Sequence, residues 1–237
     1  MDIVWSHYNV CPPAVKRIIW ERRELESEHP EYKVFFDDRA PMTFIAFIIG
    51  PDDSIYQHKL LKFRIDIPLN YPNEPPKVTY VQYRSFLIHP DLEPDGGVCL
   101  PILDITPTRV LIWLWTLLDN EPFHIRPRTA RRDRRNYNQF VRVMAWRVLL
   151  FDHFQYEVSE PAKRFLISFA QERIEKMIRQ AHAEWKAHKD GTFFLSPDPD
   201  PRYTAVVDWG SLFRDFGHLL HSIPRWVANR RSGEVET

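Results

Sequence analysis

Hydrophobic and polar positions in the first half of the chain predict one helix followed by a four-stranded antiparallel sheet. Apolar residues recur at helical spacing over 14–25, so a helix is predicted there. Four runs rich in β-forming residues follow, at 33–37, 42–50, 60–68 and 77–81. In the third run the apolar Ile65 stands between the charged Arg64 and Asp66, an alternation typical of an antiparallel strand with one exposed face. The order of these runs predicts a meander behind the first helix.

The second half of the chain predicts mainly helices. Thr106 is typical of a helix N-cap and Pro107 of a first helical position, so a helix is predicted from there to Leu118. Further helices are predicted over about 127–153, over 160–189 and from 209 onward. Apolar residues share one face of the helix at 160–189, and we expect that face to dock on the protein's own core rather than on a partner. A stretch rich in Pro and Asp at 196–201 predicts a stiff linker.

Two irregular segments interrupt the predicted elements. Four prolines fall within 68–76, and because proline fixes φ and lacks an N–H donor, this segment is predicted to be a rigid corner rather than a strand. A longer segment, 85–103, contains His89-Pro90-Asp91 and Gly96-Gly97-Val98-Cys99-Leu100-Pro101. Because binding and catalytic residues concentrate on loops held by a rigid scaffold, the longer segment is the first place to look for chemistry.

Composition and charge exclude several classes of protein. Hydrophobic residues make up 44% of the chain and charged residues 27%, which matches globular proteins and excludes disorder along the whole length. Acidic and basic residues balance at 32 each, so the overall charge does not favour nucleic acid or an anionic membrane as partner. The longest apolar run, 110–118, is about half as long as the roughly 20 residues of a membrane span. No secretory signal is visible, and we expect a reducing cytoplasmic or nuclear location.

Cysteine and histidine usage gives no support for a metal site. Cys11 and Cys99 are the only cysteines, too few for a disulfide framework or a thiolate zinc site. The ten histidines show no paired ligand spacing. We therefore expect no bound metal.

Cys99 is the strongest candidate for chemistry. It lies among Pro and Gly residues shortly before a predicted helix, a setting that suits a nucleophile on a rigid scaffold better than a buried structural thiol. A small buried hydrophobic residue is the alternative interpretation of any single cysteine. A Cys-His-Asn protease is a weaker alternative, because no helix begins at Cys99 and His89 lies so close in sequence.

Taken together, the motifs resemble those of the ubiquitin-conjugating (E2) enzymes. That family has a first helix, a four-stranded meander, a Tyr-Pro-x-x-Pro-Pro corner, a His-Pro-Asn tripeptide and, after it, a Cys-Leu pair. In this chain the matching residues, in the same order and at similar spacing, are Ala14-Val15-Lys16-Arg17-Ile18, Gly50-Pro51 with Ser54-Ile55-Tyr56, Tyr71-Pro72 with Pro75-Pro76, His89-Pro90-Asp91 and Gly97-Val98-Cys99-Leu100. The resemblance implies an α+β UBC fold over residues 12–150 and a helical C-terminal extension over 151–237.

The resemblance also implies transthiolation as the activity. Cys99 would accept ubiquitin or a ubiquitin-like protein from an activating enzyme (E1) and pass it to a lysine or to a ligase (E3). Since the thioester conserves the activation, no cofactor is expected here, and ATP would be consumed by the E1. Glu121, at the family's acidic position before a proline, would orient the incoming lysine and assist its deprotonation. The implied catalytic set is Cys99, His89, Asp91 and Glu121.

This chain departs from the family pattern at positions that bear on catalysis and on partners. Asp91 stands where the family has an Asn that donates a hydrogen bond, and an ionised carboxylate can only accept one. Asn73 stands where the family often has an apolar contact for a ligase. The resemblance still implies an E1- or E3-binding surface at Lys16, Arg17, Asn73, Thr106, Pro107 and Thr108.

Other functions stay open at this point. Asp91 favours a degenerate E2-like module that binds ubiquitin or a ligase without completing transfer, whereas the retained Cys99 argues against it. An unrelated reactive-cysteine enzyme or a helical scaffold is a further alternative. Arginines cluster over 126–135, but without interleaved aromatic residues this cluster does not favour RNA binding.

Overall fold

The computed structural model describes residues 13–84, 86–93, 95–98, 106–120, 122, 131–194 and 204–233. The chain divides into two compact units, Met1–Ile125 and Arg126–Thr237. The expected boundary between core and extension, at 150, lies later in the chain and stays a prediction. Within the described residues, no helix combines the length and the apolar character that crossing a bilayer requires.

The first unit begins with helix α1, Pro13–Leu25. Proline at the first helical position costs no hydrogen bond, because that N–H has no partner within the helix. The buried residues of α1 recur at helical spacing: Ala14, Val15, Ile18, Glu21 and Leu25. The helix thus presents one face to the core, and that face includes a carboxylate.

Four strands follow α1 and form one antiparallel sheet in chain order. They are β1 (Tyr32–Phe36), β2 (Thr43–Ile49), β3 (Leu60–Asp66) and β4 (Lys77–Tyr80). Ala46 pairs with Phe63, and Phe63 in turn pairs with Tyr80, so this buried row fixes the register across three strands. The predicted meander is confirmed, with strand ends within two residues of the predicted ones.

Helix α2, Pro107–Thr116, completes the described core of the first unit. Thr106 caps it by accepting the backbone N–H of Arg109 on its side-chain oxygen, as the sequence predicts. Val110, Leu111 and Leu114 are buried, and α2 contacts both α1 and β2. The core therefore lies between the sheet and the two helices, and the α+β fold class is confirmed.

The second unit is mainly helical. Its elements are α3 (Arg131–Trp146), a π-helical turn (Arg147–Phe151), α4 (Asp152–Tyr156), α5 (Glu160–Ala187), β5 (Thr192–Phe194), β6 (Thr204–Val206) and α6 (Trp209–Gly233). The sequence predicts the long helices but not the π-helical turn or the antiparallel pair β5–β6. The predicted linker at 196–201 lies outside the described residues.

The second unit has its own core, which joins α3, α5 and α6. Trp146 packs edge-on against Phe216 with ring centroids 5.5 Å apart, and its indole N–H donates to Glu184 at 2.6 Å. Gln180 donates to the other oxygen of Glu184 at 3.1 Å. Helix α5 contacts α4 and α6, and Phe169 and Met177 on its apolar face are buried.

Breaking the Trp146–Glu184 hydrogen bond should destabilise the second unit. Trp146→Phe leaves a buried carboxylate without one of its donors, and we expect the free energy of unfolding to fall by about 1–3 kcal/mol. Trp185→Phe is the matched control, because Trp185 is only half-buried and packs by ring contacts with His182 and Phe213. Urea unfolding followed by circular dichroism measures both. Equal losses in the two variants would contradict the importance of this bond.

Candidate active site

His89 is the buried centre of the loop that follows β4. Its side chain is 4% exposed, and Nε2 lies 3.0 Å from the carbonyl oxygen of Leu117, just after α2. The backbone N–H of Asp91 donates to Nδ1 at 3.1 Å. Since Nδ1 accepts, Nε2 carries the proton and donates to Leu117, which is the neutral form of the ring. One imidazole thus joins the His89–Asp91 turn to the end of α2.

The backbone before His89 is anchored by Tyr56. The phenol O–H of Tyr56 donates to the carbonyl oxygen of Ile88 at 2.6 Å, and both residues are buried. Tyr56 lies in the connection between β2 and β3, so this connection provides a second anchor for the loop. The sequence placed Tyr56 only in a family motif and gave it no role.

The loop then folds back onto β4 and onto itself. Gly97 pairs with Thr79 of β4, and Val98 pairs with Leu92. Gly96 has φ +91°, and a Cβ built on it would lie 2.8 Å from the carbonyl oxygen of Tyr80, so both conformation and space require glycine. Val98, the last described residue of this pairing, comes one residue before Cys99 in the sequence.

Asp91 presents its carboxylate partly to solvent. Its side chain is 45% exposed, and Oδ2 lies 3.8 Å from Nδ1 of His89, beyond hydrogen-bond distance. Because Nδ1 already accepts the N–H of Asp91, the ring is neutral and this contact is not an ion pair. The backbone N–H of Asp91 is therefore bonded to His89, while the side chain of Asp91 makes no hydrogen bond to the ring and is partly exposed.

The structure brings together His89 and Asp91 from the predicted catalytic set. Cys99 and Glu121 lie outside the described residues. Of the predicted partner-binding residues, Lys16, Arg17 and Asn73 are exposed, Thr106 and Thr108 are half-buried, and Pro107 is buried. Within the described ranges, no cluster of three or more His, Cys, Asp or Glu side chains is placed to hold a metal.

Reasoning from sequence missed a buried contact between α1 and the proline corner. Tyr71, in the corner, donates its O–H to the carboxylate of Glu21 on α1. The phenol oxygen lies 2.8 Å and 3.1 Å from the two carboxylate oxygens. Arg17 also donates to Glu21 through Nε. The acidic residue on the buried face of α1 was a possible signal, since a buried carboxylate requires donors.

Comparison with protein families matches the sequence of this chain to a known family. The family model for ubiquitin-conjugating enzyme matches residues 17–145, more than half of the chain. The chain belongs to the ubiquitin-conjugating enzyme family. The predicted resemblance is confirmed, and the alternatives of an unrelated reactive-cysteine enzyme, a protease or a helical scaffold are set aside.

Individual members of the family match parts of the chain. The chain is 37% identical over 92 residues to a ubiquitin-conjugating enzyme E2 of African swine fever virus, covering 38% of this chain and 40% of that protein. It is 28% identical over 174 residues to ubiquitin-conjugating enzyme E2 Z of Danio rerio, and that match covers 66% of this chain and 53% of that protein. It is 34% identical over 92 residues to ubiquitin-conjugating enzyme E2 3 of Arabidopsis thaliana, and that match covers 38% of this chain and 59% of that protein. The chain thus spans about half the length of these relatives.

Among solved structures, a putative ubiquitin conjugating enzyme from Plasmodium yoelii is 26% identical. That match covers 44% of this chain and 71% of the other, with a TM-score of 0.40. Family membership rests on the family model and not on this structure.

The conformation of Gly96 should be necessary for the site loop. Gly96→Ala forces a Cβ against backbone at positive φ, and we expect it to destabilise the first unit by about 1–3 kcal/mol. Gly97→Ala is the matched control, because its Cβ would meet side chains and no backbone: the movable end of Asp95 at 3.0 Å and, at ordinary contact distance, Glu93. Thermal unfolding of the two variants gives the comparison. A Gly97→Ala variant as unstable as Gly96→Ala would contradict the assignment.

Proposed function

We propose that this chain accepts ubiquitin or a ubiquitin-like protein on Cys99 from an activating enzyme and transfers it to a lysine or to a ligase. The observation that carries the proposal is the fixed turn at His89–Asp91. Leu92, the residue after the turn, pairs with Val98, which directly precedes Cys99 in the sequence. The turn and the chain leading to Cys99 therefore form one braced loop. Such bracing suits a nucleophile that must meet large partners in a fixed orientation.

The chemistry consists of two acyl transfers. In loading, the Cys99 thiolate attacks the carbonyl carbon of the modifier's thioester with the activating enzyme. A new C–S bond forms, and the activating enzyme's thiolate leaves. In discharge onto lysine, the amine attacks the same carbonyl, a C–N bond forms, the C–S bond breaks, and the amine proton passes to a base. ATP is consumed earlier, by the activating enzyme, and no cofactor is required at Cys99.

Loading and discharge make different demands on the residues near Cys99. Attack on a thioester develops an oxyanion, which hydrogen-bond donors stabilise. The backbone N–H of Asp91 is committed to His89, and its ionised carboxylate cannot donate. Discharge onto lysine also needs deprotonation of an amine, for which Glu121 is the proposed base. We infer that loading is less affected by Asp91 than discharge is.

Partner recognition completes the proposal. The exposed Lys16 and Arg17 on α1 and the exposed Asn73 in the corner are proposed to meet the E1 or E3, together with the segment Thr106, Pro107 and Thr108. A module that binds ubiquitin or a ligase without completing transfer is the second candidate, and Asp91 is the observation that favours it.

Cys99 should be the residue that carries the thioester. On incubation with an activating enzyme, ATP and ubiquitin, the wild-type protein should gain an adduct that a thiol reductant removes. Cys99→Ala should give none, and Cys99→Ser should give an adduct that resists the reductant, because oxygen replaces sulfur in the ester. Non-reducing gels and intact-mass measurement distinguish these products. Cys11→Ser is the control and should load normally; loss of the adduct in that variant instead would contradict the assignment.

Asp91→Asn should accelerate discharge onto lysine more than it changes loading. The amide restores a donor near the oxyanion and removes a negative charge, and one oxyanion donor is worth about 3 kcal/mol, which is at least roughly a hundredfold in rate. Single-turnover discharge of the thioester onto free lysine across a pH series measures the effect. A slower Asp91→Asn protein would show that Asp91 acts as a base.

A further inference from the structure

A fully buried lysine lies in the connection between β2 and β3. Lys59 is 0% exposed, and its ammonium lies 3.1 Å from the carbonyl oxygen of Ile55 and 3.4 Å from that of Gln57. Burying an ammonium costs free energy unless acceptors replace the water that it loses. The burial of Lys59 therefore depends on two carbonyl groups, and these flank Tyr56 in the sequence.

Lys59 also holds this connection through its backbone. The N–H of Lys59 donates to the carbonyl oxygen of Tyr56 at 3.0 Å, and the carbonyl oxygen of Lys59 accepts the N–H of Gly50 at 3.0 Å. The N–H of Tyr56 donates to the side-chain oxygen of Ser54, also at 3.0 Å. The backbone of Tyr56 is thus hydrogen-bonded through both its N–H and its carbonyl group.

The connection is wound tightly around Tyr56. Asp53 and His58 have φ of +64° and +62°, in the left-handed region that residues other than glycine rarely adopt. A Cβ built on Gly50 would lie 1.8 Å from the carbonyl oxygen of Tyr56, so the chain leaving β2 packs directly against the Tyr56 backbone. Strained conformations of this kind persist where surrounding contacts hold them, and they are concentrated at functional sites.

Tyr56 extends this arrangement to the site loop. Its hydroxyl donates to the carbonyl oxygen of Ile88 at 2.6 Å, and both residues are 0% exposed. Ile88 directly precedes His89, whose Nδ1 accepts the backbone N–H of Asp91 at 3.1 Å. Hydrogen bonds between neighbouring stretches of chain therefore lead from Lys59 to the His89–Asp91 turn.

We propose that Lys59 and Tyr56 are positioning residues for discharge of the thioester. Lys59 fixes the backbone around Tyr56, and the Tyr56 hydroxyl then holds Ile88. Ile88 in turn holds the His89–Asp91 turn in the place that transfer from Cys99 requires. Because both side chains are fully buried, they contact no partner and act only through the loop that they hold. This inference rests on the proposed function.

Single-turnover discharge onto free lysine tests the proposal. Tyr56→Phe removes the hydroxyl but keeps the ring, and it should slow discharge about tenfold, because the turn is no longer held in one geometry. Lys59→Met removes the ammonium at similar side-chain length. It should slow discharge about threefold, because the backbone bonds of Lys59 still hold part of the connection. The KM for this protein in loading by the activating enzyme should change by less than about twofold, since binding is not affected.

The double variant tests whether Lys59 acts through Tyr56. If both residues act through one hydrogen bond, Lys59→Met should add no further slowing in the Tyr56→Phe background. Additive slowing would overturn this route. Lys59→Gln keeps an N–H donor for the same carbonyl groups and should discharge faster than Lys59→Met. Lys59→Gln also takes the place of Lys59→Met if that variant does not fold.

Val34→Ala is the control for stability. Val34 is buried in β1, where it pairs with Ala46 of β2, and its truncation removes apolar packing from the core of the first unit. We expect a lower melting temperature with discharge unchanged. Slowing equal to that in Tyr56→Phe would show that discharge follows general stability, and it would overturn the positioning role.

Amide hydrogen exchange at Asp91 gives a readout that does not depend on loading. Tyr56→Phe should speed exchange of the Asp91 N–H about tenfold relative to the amides of β2 and β3, because a loosened turn releases this N–H from His89. Lys59→Met should act in the same direction, and Val34→Ala should leave the ratio unchanged. NMR on the ¹⁵N-labelled protein measures all four exchange rates, wild type included.

The outcomes distinguish this inference from the proposed function. A wild-type protein that forms no thioester overturns the proposed function and the role of Lys59 in discharge, even if exchange at Asp91 responds as expected. A wild-type protein that loads, with Tyr56→Phe discharging at the wild-type rate or exchanging Asp91 at the wild-type rate, overturns the positioning role alone.

Discussion

The loop of the candidate site depends on the neutral imidazole of His89. Buried backbone groups need hydrogen-bond partners, and strand pairing supplies only some of them in the described residues that follow β4. His89 provides one acceptor, for the N–H of Asp91, and one donor, for the carbonyl of Leu117. A protonated ring has two donors and no acceptor, so it would release the N–H of Asp91. The geometry of the turn therefore requires the neutral ring.

Both units use a buried carboxylate to join distant elements. In the first unit Glu21 accepts from Tyr71 and ties α1 to the corner; in the second, Glu184 accepts from Trp146 and ties α5 to α3. In each case the donor is the polar end of a large aromatic side chain, which contributes apolar packing and one directed bond. A buried carboxylate adds little net stability compared with apolar packing, but in both units its hydrogen bonds join two separate elements.

Features with a local cause could be predicted from the sequence. The strands follow from alternation, α2 from Thr106 and Pro107, and the corner from its prolines. Contacts between distant residues could not be predicted in this way: Tyr71 and Glu21 are 50 positions apart, and His89 binds a backbone carbonyl that any residue could provide. The three-residue strands β5 and β6 are too short to show a period. The His-Pro-Asp motif indicated where the site loop lies, but it did not predict that the backbone N–H of Asp91 donates to His89.

The tautomer of His89 is the most direct test of this account. Two-bond nitrogen–proton correlation NMR on the ¹⁵N-histidine-labelled protein at pH 7 distinguishes a proton on Nε2 from one on Nδ1 or on both. Assignment to residue 89 comes from the signal that disappears in His89→Gln. We predict the neutral ring with its proton on Nε2. A proton on Nδ1, or a doubly protonated ring at that pH, would contradict it, because Asp91 could then no longer donate to His89 and the turn would need another support.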